Sequence, residues 1–242
     1  TVKMISSLIN IARQVQRLTD DVNEMEAALN TGINPTLRRQ TERELKRYKA
    51  AVERFQRERL CMEAILCDDV MLTNWNTFYR LVVAWLTRLT SVNSSSGFQI
   101  PLPDPVPPQF AALPEYFLED LVDVLIHTGH VAPHVLQSIG LQETVIFFMA
   151  MMGSPNYVKN PYLRSKLCEV LSICLPQSLK HHHTMRRRSD TLAFVFENHP
   201  IILNHLVPCL LQLYVDIEYT GRHNTFYEKF VMRAHIQEVL EY

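Results

Sequence analysis

The first 66 residues carry apolar side chains at the alternating three- and four-residue spacing of a helix with one buried face. In the first half, this seam consists of Met4, Leu8, Ile11, Val15, Leu18, Val22, Met25 and Leu29. The second half carries a matching stripe of Leu45, Tyr48, Val52, Phe55, Met62 and Leu66. Because glycine and proline punctuate a short connection at residues 31–35, the pattern predicts a long antiparallel, coiled-coil-like helical hairpin over residues 1–66. The first seam is long enough to pair within the chain or with a second copy.

The polar face of the second hairpin helix is mixed in charge but predominantly basic. It consists of Arg38, Arg39, Glu42, Arg43, Glu44, Lys46, Arg47, Lys49, Glu53, Arg54, Arg57, Glu58 and Arg59. Carboxylates and cations four residues apart on a helix can pair, so a solvated face with ion pairs is the preferred interpretation. A docking surface is the alternative.

Residues 67–92 predict one core helix, which Asp68-Asp69 can cap. Its expected buried side is Trp75, Phe78, Val82, Leu86 and Leu89. Residues 93–113 are proline-rich, with Pro101, Pro103, Pro105, Pro107 and Pro108. They could form an extended recognition motif, but apolar residues alternate with the prolines and favour a strap lying against helices. The residues concerned are Phe98, Ile100, Leu102, Val106 and Phe110.

Residues 114–242 continue with helical spacing and contain no polar–apolar alternation typical of a strand. Helices are predicted near 114–128, 133–152, 161–174, 191–218 with a break at His199-Pro200, and 224–242. An all-α chain of helices joined by short turns is typical of a solenoid. An apolar stripe at the end of the chain, Val231, Ile236, Val239 and Leu240, and a start without methionine indicate a part of a longer protein.

Composition is that of an ordinary soluble protein: 242 residues, 47% hydrophobic, with a formal net charge of −1. No charge excess favours nucleic acid or an anionic membrane. Apolar runs such as residues 145–152 fall short of the roughly 20 residues that a bilayer span needs, so we expect no membrane insertion.

Candidate chemistry is sparse. The five cysteines, Cys61, Cys67, Cys168, Cys174 and Cys209, form no C-x-x-C pair. Cys168 or Cys174 could act as a nucleophile, but both lie on an apolar helix face, where burial disfavours the thiolate. His181-His182-His183 cannot all face one metal ion, and with Arg186-Arg187-Arg188 and Ser189 they indicate an exposed loop. We therefore predict no catalytic residue, no cofactor and no metal site.

The turn after residue 152 is unusually specific. Gly153 could adopt a left-handed helix cap, and Asn160-Pro161 is an N-cap followed by proline at the first helical position. Binding groups concentrate in loops of solenoids, so this turn is the candidate partner-binding loop. It comprises Ser154, Asn156, Tyr157, Lys159 and Asn160. Capping and packing alone are the alternative explanation of these residues.

Four ordered phrases carry a family resemblance. They are Gly153 to Leu167, Val215-Asp216-Ile217-Glu218-Tyr219-Thr220-Gly221, Leu113-Pro114-Glu115-Tyr116-Phe117-Leu118-Glu119-Asp120, and Phe226-Tyr227-Glu228-Lys229-Phe230 with Arg233 and His235. Together they resemble the core of the chain-elongating ubiquitin conjugation factors, the Ufd-two-type U-box ligases, over roughly residues 45 to 242. The resemblance implies an armadillo-like helical solenoid for residues 114–242, a helical-repeat part of that core.

The resemblance also implies a function. The chain would be a noncatalytic scaffold segment of a U-box ubiquitin-protein ligase, a transferase that elongates chains on pre-ubiquitinated substrates for proteasomal and endoplasmic-reticulum-associated degradation. Expected partners are a ubiquitin-conjugating enzyme bound by a U-box, an AAA ATPase of the valosin-containing-protein type, and ubiquitin-like-domain shuttle proteins, in the cytoplasm and nucleus. Nothing in this chain matches a U-box, so we expect no activity from it alone. A general helical adaptor without a ubiquitin role is the alternative.

Overall fold

The computed structural model describes residues 2–30, 35–91, 98–138, 140–175, 191–218 and 226–242. These residues form eleven α-helices and no strand, which confirms the all-α prediction. The helices are α1 (Val2–Asn30), α2 (Pro35–Leu66), α3 (Asp69–Thr90), α4 (Pro108–Ala111), α5 (Tyr116–Val131), α6 (Pro133–Ser138), α7 (Gln142–Met152), α8 (Pro161–Ile173), α9 (Thr191–Asn198), α10 (Pro200–Glu218) and α11 (Phe226–Leu240). The chain divides into two compact units, Thr1–Met71 and Leu72–Tyr242.

In the first unit, α1 and α2 pack against each other as the predicted hairpin. Leu8 and Val15 of the predicted seam are buried, but Met4 is exposed and Ile5 is buried in its place. An ideal helix puts Met4 and Ile5 only about 40° and 60° from Leu8, so spacing alone could not choose between them. The carboxylate of Glu26 in α1 and the ammonium of Lys49 in α2 form an ion pair at 2.5 Å.

The outer face of α2 carries the predicted ion pairs between residues four apart. Arg38 pairs with Glu42 and Arg59 with Glu63, each at 3.1 Å, and Arg57 pairs with Glu53. The solvated-face interpretation is confirmed for Arg38, Glu42, Glu53 and Arg57, whereas Arg59 and Glu63 are half-buried. Each pair lies along one helix and links no second element.

The second unit begins within α3, whose start is capped as predicted: the Asp68 carboxylate accepts a hydrogen bond from the Met71 backbone N–H at 2.8 Å. The predicted buried side is wrong for Phe78, which is 59% exposed. Asn76 is buried instead because its side-chain amide donates to the Thr128 hydroxyl of α5 at 3.1 Å and to the Leu72 carbonyl at 2.7 Å. A polar residue that finds hydrogen-bond partners can therefore occupy a core position that apolar spacing would give to a hydrophobic residue.

The described part of the proline-rich segment packs against the core of the second unit. Leu102 is buried, and Phe98, Ile100 and Phe110 lie against the core cluster. This packing agrees with the strap interpretation, whereas the predicted domain boundaries at residues 66, 92 and 113 stay predictions. Residues 92–97 lie outside the described residues, as do the histidine and arginine triplets at 181–188 and Ser189.

Of two helix predictions in the second unit, one is wrong and one is confirmed. The single helix expected over 133–152 is wrong, since α6 ends at Ser138 and α7 begins at Gln142, with the poor helix former Gly140 between them. The break at His199 is confirmed between α9 and α10. All nine residues from Thr144 to Met152 are buried, which makes α7 the central helix of this unit.

Helix α10 is long and apolar enough to cross a bilayer, by length and composition alone. Uninterrupted apolar runs do not reveal this helix, because Asn204, His205 and Gln212 break them. Its residues Leu210, Leu213 and Ile217 are fully buried in the core of the second unit. The predicted apolar stripe at the C-terminal end lies in α11 and is only partly exposed. Ile236 and Val239 are buried, whereas Val231 and Leu240 are exposed.

Candidate partner-binding loop and the ion pairs around it

The candidate partner-binding loop joins α7 to α8, and its first residue shows why glycine stands there. Gly153 has φ −80° and ψ 0°, so the predicted left-handed cap is wrong. A Cβ at this position would lie 2.9 Å from the Cβ of Cys209 in α10 and closer still to its Sγ. Glycine is therefore needed for the close approach of α10 to the end of α7.

Hydrogen bonds shape the remainder of the turn. The Ser154 carbonyl accepts from the backbone N–H groups of Tyr157 at 3.0 Å and Val158 at 3.1 Å. At the far end, the Asn160 side chain accepts from the Tyr162 N–H at 3.0 Å, with Pro161 at the first helical position. The predicted N-cap of α8 is thus confirmed, and Ser154 and Asn160 both serve the turn itself.

Tyr157 fastens the candidate loop to the strap. Its hydroxyl donates to the Pro103 carbonyl at 2.7 Å, and its ring centroid lies 5.2 Å from that of Phe110. Burial, with the nearby Asp104 carboxylate as a smaller cause, raises the pKa of Tyr157 above its ordinary value. The phenol of Tyr157 is therefore protonated at neutral pH, and its hydrogen bond is made to a carbonyl of the same chain.

Only Asn156 and Lys159 of the five candidate residues are exposed. Ser154, Tyr157 and Asn160 are half-buried and hold the turn or the strap. The five residues therefore lie in one turn, but only Asn156 and Lys159 are exposed to solvent. Partner binding by this loop stays a prediction.

The most buried charged side chain described in the second unit was not among the predicted site residues. Arg164 of α8 is 3% exposed, and its Nη1 donates to Asp216 Oδ2 of α10 at 2.5 Å. The other oxygen of Asp216 accepts from the Gln212 side chain at 2.9 Å. Removing one member of such a pair leaves a charge without compensation in a dry site, so each member requires the other.

Two further ion pairs connect neighbouring helices. Lys166 of α8 meets Asp123 of α5 at 2.8 Å. Arg233 of α11 pairs with Glu218 of α10. With Arg164–Asp216, these pairs are the interhelical ion pairs, and they join α5, α8, α10 and α11 into one series.

The interhelical ion pairs account for several charged residues of the sequence phrases. Arg164 and Lys166 belong to the first phrase, Asp216 and Glu218 to the second, and Arg233 to the one in α11. Arg164 meets Asp216 across 52 residues and Arg233 meets Glu218 across 15, whereas the partner of Lys166, Asp123, lies outside the phrases. The available signal was a charge inside an apolar helix, because such a charge needs a partner from another element.

The thiols considered as nucleophiles are buried. Cys168 is 0% and Cys174 2% exposed. Burial, aided by the Glu238 and Glu169 carboxylates, raises the pKa of Cys168 far above its ordinary range, and burial alone raises the pKa of Cys174 to about 12. The thiolate that a ubiquitin-accepting nucleophile needs is therefore scarce at neutral pH. Within the described ranges, no group of three His, Cys, Asp or Glu residues is placed to hold a metal ion.

Comparison with known proteins supports the family resemblance of the four phrases. The sequence model described as "Ubiquitin elongating factor core" matches residues 1–242. The chain is 37% identical over 241 residues to "Probable ubiquitin conjugation factor E4" of Arabidopsis thaliana, covering 99% of this chain and 22% of that protein. It is 29% identical to "Ubiquitin conjugation factor E4" of Schizosaccharomyces pombe over 99% of this chain and 23% of the relative. For "Ubiquitin conjugation factor E4 A" of Bos taurus, identity is 29% over 78% of this chain and 18% of the relative.

The chain spans about a fifth of the length of the curated relatives that it matches. Residues of three of the four phrases form two of the interhelical ion pairs, and the family match covers every residue from 1 to 242. The chain belongs to the ubiquitin elongating factor core family.

Proposed function

We propose that this chain is a noncatalytic helical scaffold in a U-box ubiquitin-protein ligase that elongates chains on pre-ubiquitinated substrates. The observation that carries the proposal is the family match over residues 1–242. The buried thiols support the noncatalytic part of it, because neither Cys168 nor Cys174 is exposed to a ubiquitin thioester.

A scaffold acts by holding its partners at a fixed separation, which raises their effective concentration. Contacts between helices of the second unit support this role. The Arg164 guanidinium is buried and paired with the partly exposed Asp216, and a hydrogen bond from Asn76 to Thr128 links α3 to α5. Because the helices follow one another with short connections, we propose that they belong to an armadillo-like solenoid.

In this proposal the bond-forming chemistry belongs to a ubiquitin-conjugating enzyme held by a U-box, which this chain does not supply. The AAA ATPase of the valosin-containing-protein type and ubiquitin-like-domain shuttle proteins are the further proposed partners, in proteasomal and endoplasmic-reticulum-associated degradation. The proposed location is the cytoplasm and nucleus. Asn156 and Lys159 are the exposed residues of the candidate loop that such a partner could reach.

Chain extension on a pre-ubiquitinated substrate tests the proposal. The full-length Schizosaccharomyces pombe relative should extend chains in the presence of activating and conjugating enzymes, whereas this chain should not. Extension by this chain that is lost in a Cys168→Ala, Cys174→Ala variant would contradict the scaffold role. Replacing Asn156 and Lys159 with alanine, with Glu197→Ala as an exposed control, tests partner capture by the candidate loop.

A further inference from the structure

The outer face of α2 separates its charges. Projected around an ideal helix, Arg39, Arg43, Lys46, Arg47 and Arg54 fall within a sector of about 100° that faces away from the seam with α1. All five side chains are exposed. Between residues 39 and 54, the only other residue of this sector is Ala50. We call these five cations the basic stripe.

Carboxylates lie beside the basic stripe and not within it. Glu42 and Glu53 border one edge and are held by Arg38 and Arg57, while Glu44 and Glu58 lie toward the other edge. The described ion pairs of α2 use Arg38, Lys49, Arg57 and Arg59, none of which belongs to the basic stripe. Its positive charge is therefore not compensated by these pairs.

Arg43 shows the separation most clearly. The positions three and four residues away along the helix are Arg39, Gln40, Lys46 and Arg47. Three of these four neighbours are cations, and like charges four residues apart destabilise a helix by about 0.2–0.5 kcal/mol per pair. An anionic ligand lying along the stripe would remove this repulsion.

We propose that the basic stripe binds an extended acidic segment of a protein partner. Arg39, Arg43 and Arg47 rise along α2 in steps of about 6 Å. Alternate residues of an extended chain are spaced by about 6.6 Å, so carboxylates on every second residue match these steps. Arginine is suited to such a ligand because its guanidinium can hold a carboxylate through two parallel hydrogen bonds.

The same observations disfavour two other anionic ligands. The flanking glutamates would face the phosphates of a wider nucleic acid duplex, and the chain as a whole has a net charge of −1. A helix lying on a membrane must insert an apolar face, but the apolar face of α2 is packed against α1. A narrow acidic peptide avoids both conflicts.

Fluorescence anisotropy tests the proposal with a labelled peptide of about nine residues, enough to span the stripe, with glutamate at every second position. The probe is titrated with the full chain at low and moderate salt. The test variant is Arg43→Gln, Lys46→Gln, Arg47→Gln. A control of equal net charge is Lys3→Gln, Arg13→Gln, Arg17→Gln on α1, whose side chains are also exposed.

The test variant should bind the peptide about tenfold more weakly, whereas the control should stay within about twofold of the unaltered chain. Binding should weaken as salt rises. Helical content by circular dichroism should be unchanged, because the substitutions remove repulsion and not packing.

Four outcomes would overturn the proposal. They are absence of binding at low salt, equal weakening in both variants, tighter binding of single-stranded RNA of equal charge, and tighter binding of vesicles containing anionic lipid. Because the readout is peptide binding, failure here leaves the chain-extension test of the scaffold role unaffected.

Discussion

The two units keep their charges in different places. In the hairpin, the ion pairs of Arg38, Arg57 and Arg59 lie along α2. One exposed pair, between Lys49 and Glu26, joins α2 to α1. In the second unit, Arg164, Lys166 and Arg233 each reach a carboxylate on another helix. Exposed pairs contribute about 0–1 kcal/mol, whereas breaking a buried pair costs about 3–5 kcal/mol. The described units therefore differ in that the second one buries a charge, Arg164, whose ion pair with Asp216 should contribute more to stability than any exposed pair.

The largest expected difference between the units is in thiol reactivity. Cys61 of the hairpin is exposed, whereas Cys174 is buried with its pKa raised to about 12. At pH 8 about one Cys174 in ten thousand is a thiolate, and this fraction grows about tenfold for each unit of pH. Iodoacetamide should modify Cys61 at least about a thousandfold faster than Cys174, as measured by mass spectrometry. Similar rates in the folded chain would show that Cys174 is accessible.

Breaking the buried ion pair should have the largest effect on stability. Asp216→Ala leaves the Arg164 guanidinium buried without its carboxylate, and should lower the free energy of unfolding by about 3 kcal/mol. Both tryptophans, Trp75 and Trp85, lie in α3, so urea unfolding followed by their fluorescence reports on the second unit.

The double variant Arg164→Met, Asp216→Leu removes both charges and should recover most of the lost stability. A loss below about 1 kcal/mol in Asp216→Ala would place this pair with the surface pairs of the hairpin.

Gly153→Ala should be destabilising by about 2 kcal/mol, because its Cβ would overlap Cys209 and force α10 away from α7. Gly140→Ala is the matched control, since its Cβ would lie 3.7 Å from Arg80 Nη2, an ordinary contact. The same urea titration compares the two variants. Equal stability would mean that the close approach of α10 does not require glycine.

The smallest expected effects compare one exposed pair from each unit. A double-mutant cycle on Lys166 and Asp123, whose side chains are 45% and 29% exposed, should give a coupling of about 0.5–1 kcal/mol. The cycle on Arg38 and Glu42 should give about 0.3 kcal/mol, with far-ultraviolet circular dichroism as the readout for the hairpin. A stronger coupling in the hairpin pair would reverse the comparison.

Apolar spacing predicted the hairpin because its two long helices pack against each other, although α1 buries only Ile5, Leu8 and Val15. In the second unit the same signal failed where polar partners decide burial, as Asn76 and Phe78 show. It also failed at Gly153, where the need for glycine comes from Cys209, 56 positions along the chain, and not from a local turn. Spacing cannot reveal which distant element approaches a residue.

For the candidate loop, local chemistry was predictable and distant chemistry was not. The Asn160 cap follows from the sequence because cap and helix are adjacent. The bond from Tyr157 to Pro103 crosses 54 residues, and no local pattern indicates it. The ion pairs Arg164–Asp216 and Arg233–Glu218 join residues of three of the four phrases, but the sequence did not indicate that these residues pair.

The bond from Tyr157 to the strap also sets an order of events during synthesis. A ribosome that has released residue 66 has delivered both helices of the hairpin. The strap must wait until Tyr157 emerges, and Arg164 must wait a further 52 residues for Asp216. At about 5–20 residues per second, that second delay is roughly 3–10 s, during which a cation destined for burial remains without its carboxylate. Chaperones would therefore have time to bind the nascent second unit before it folds, whereas both helices of the hairpin are complete early in synthesis.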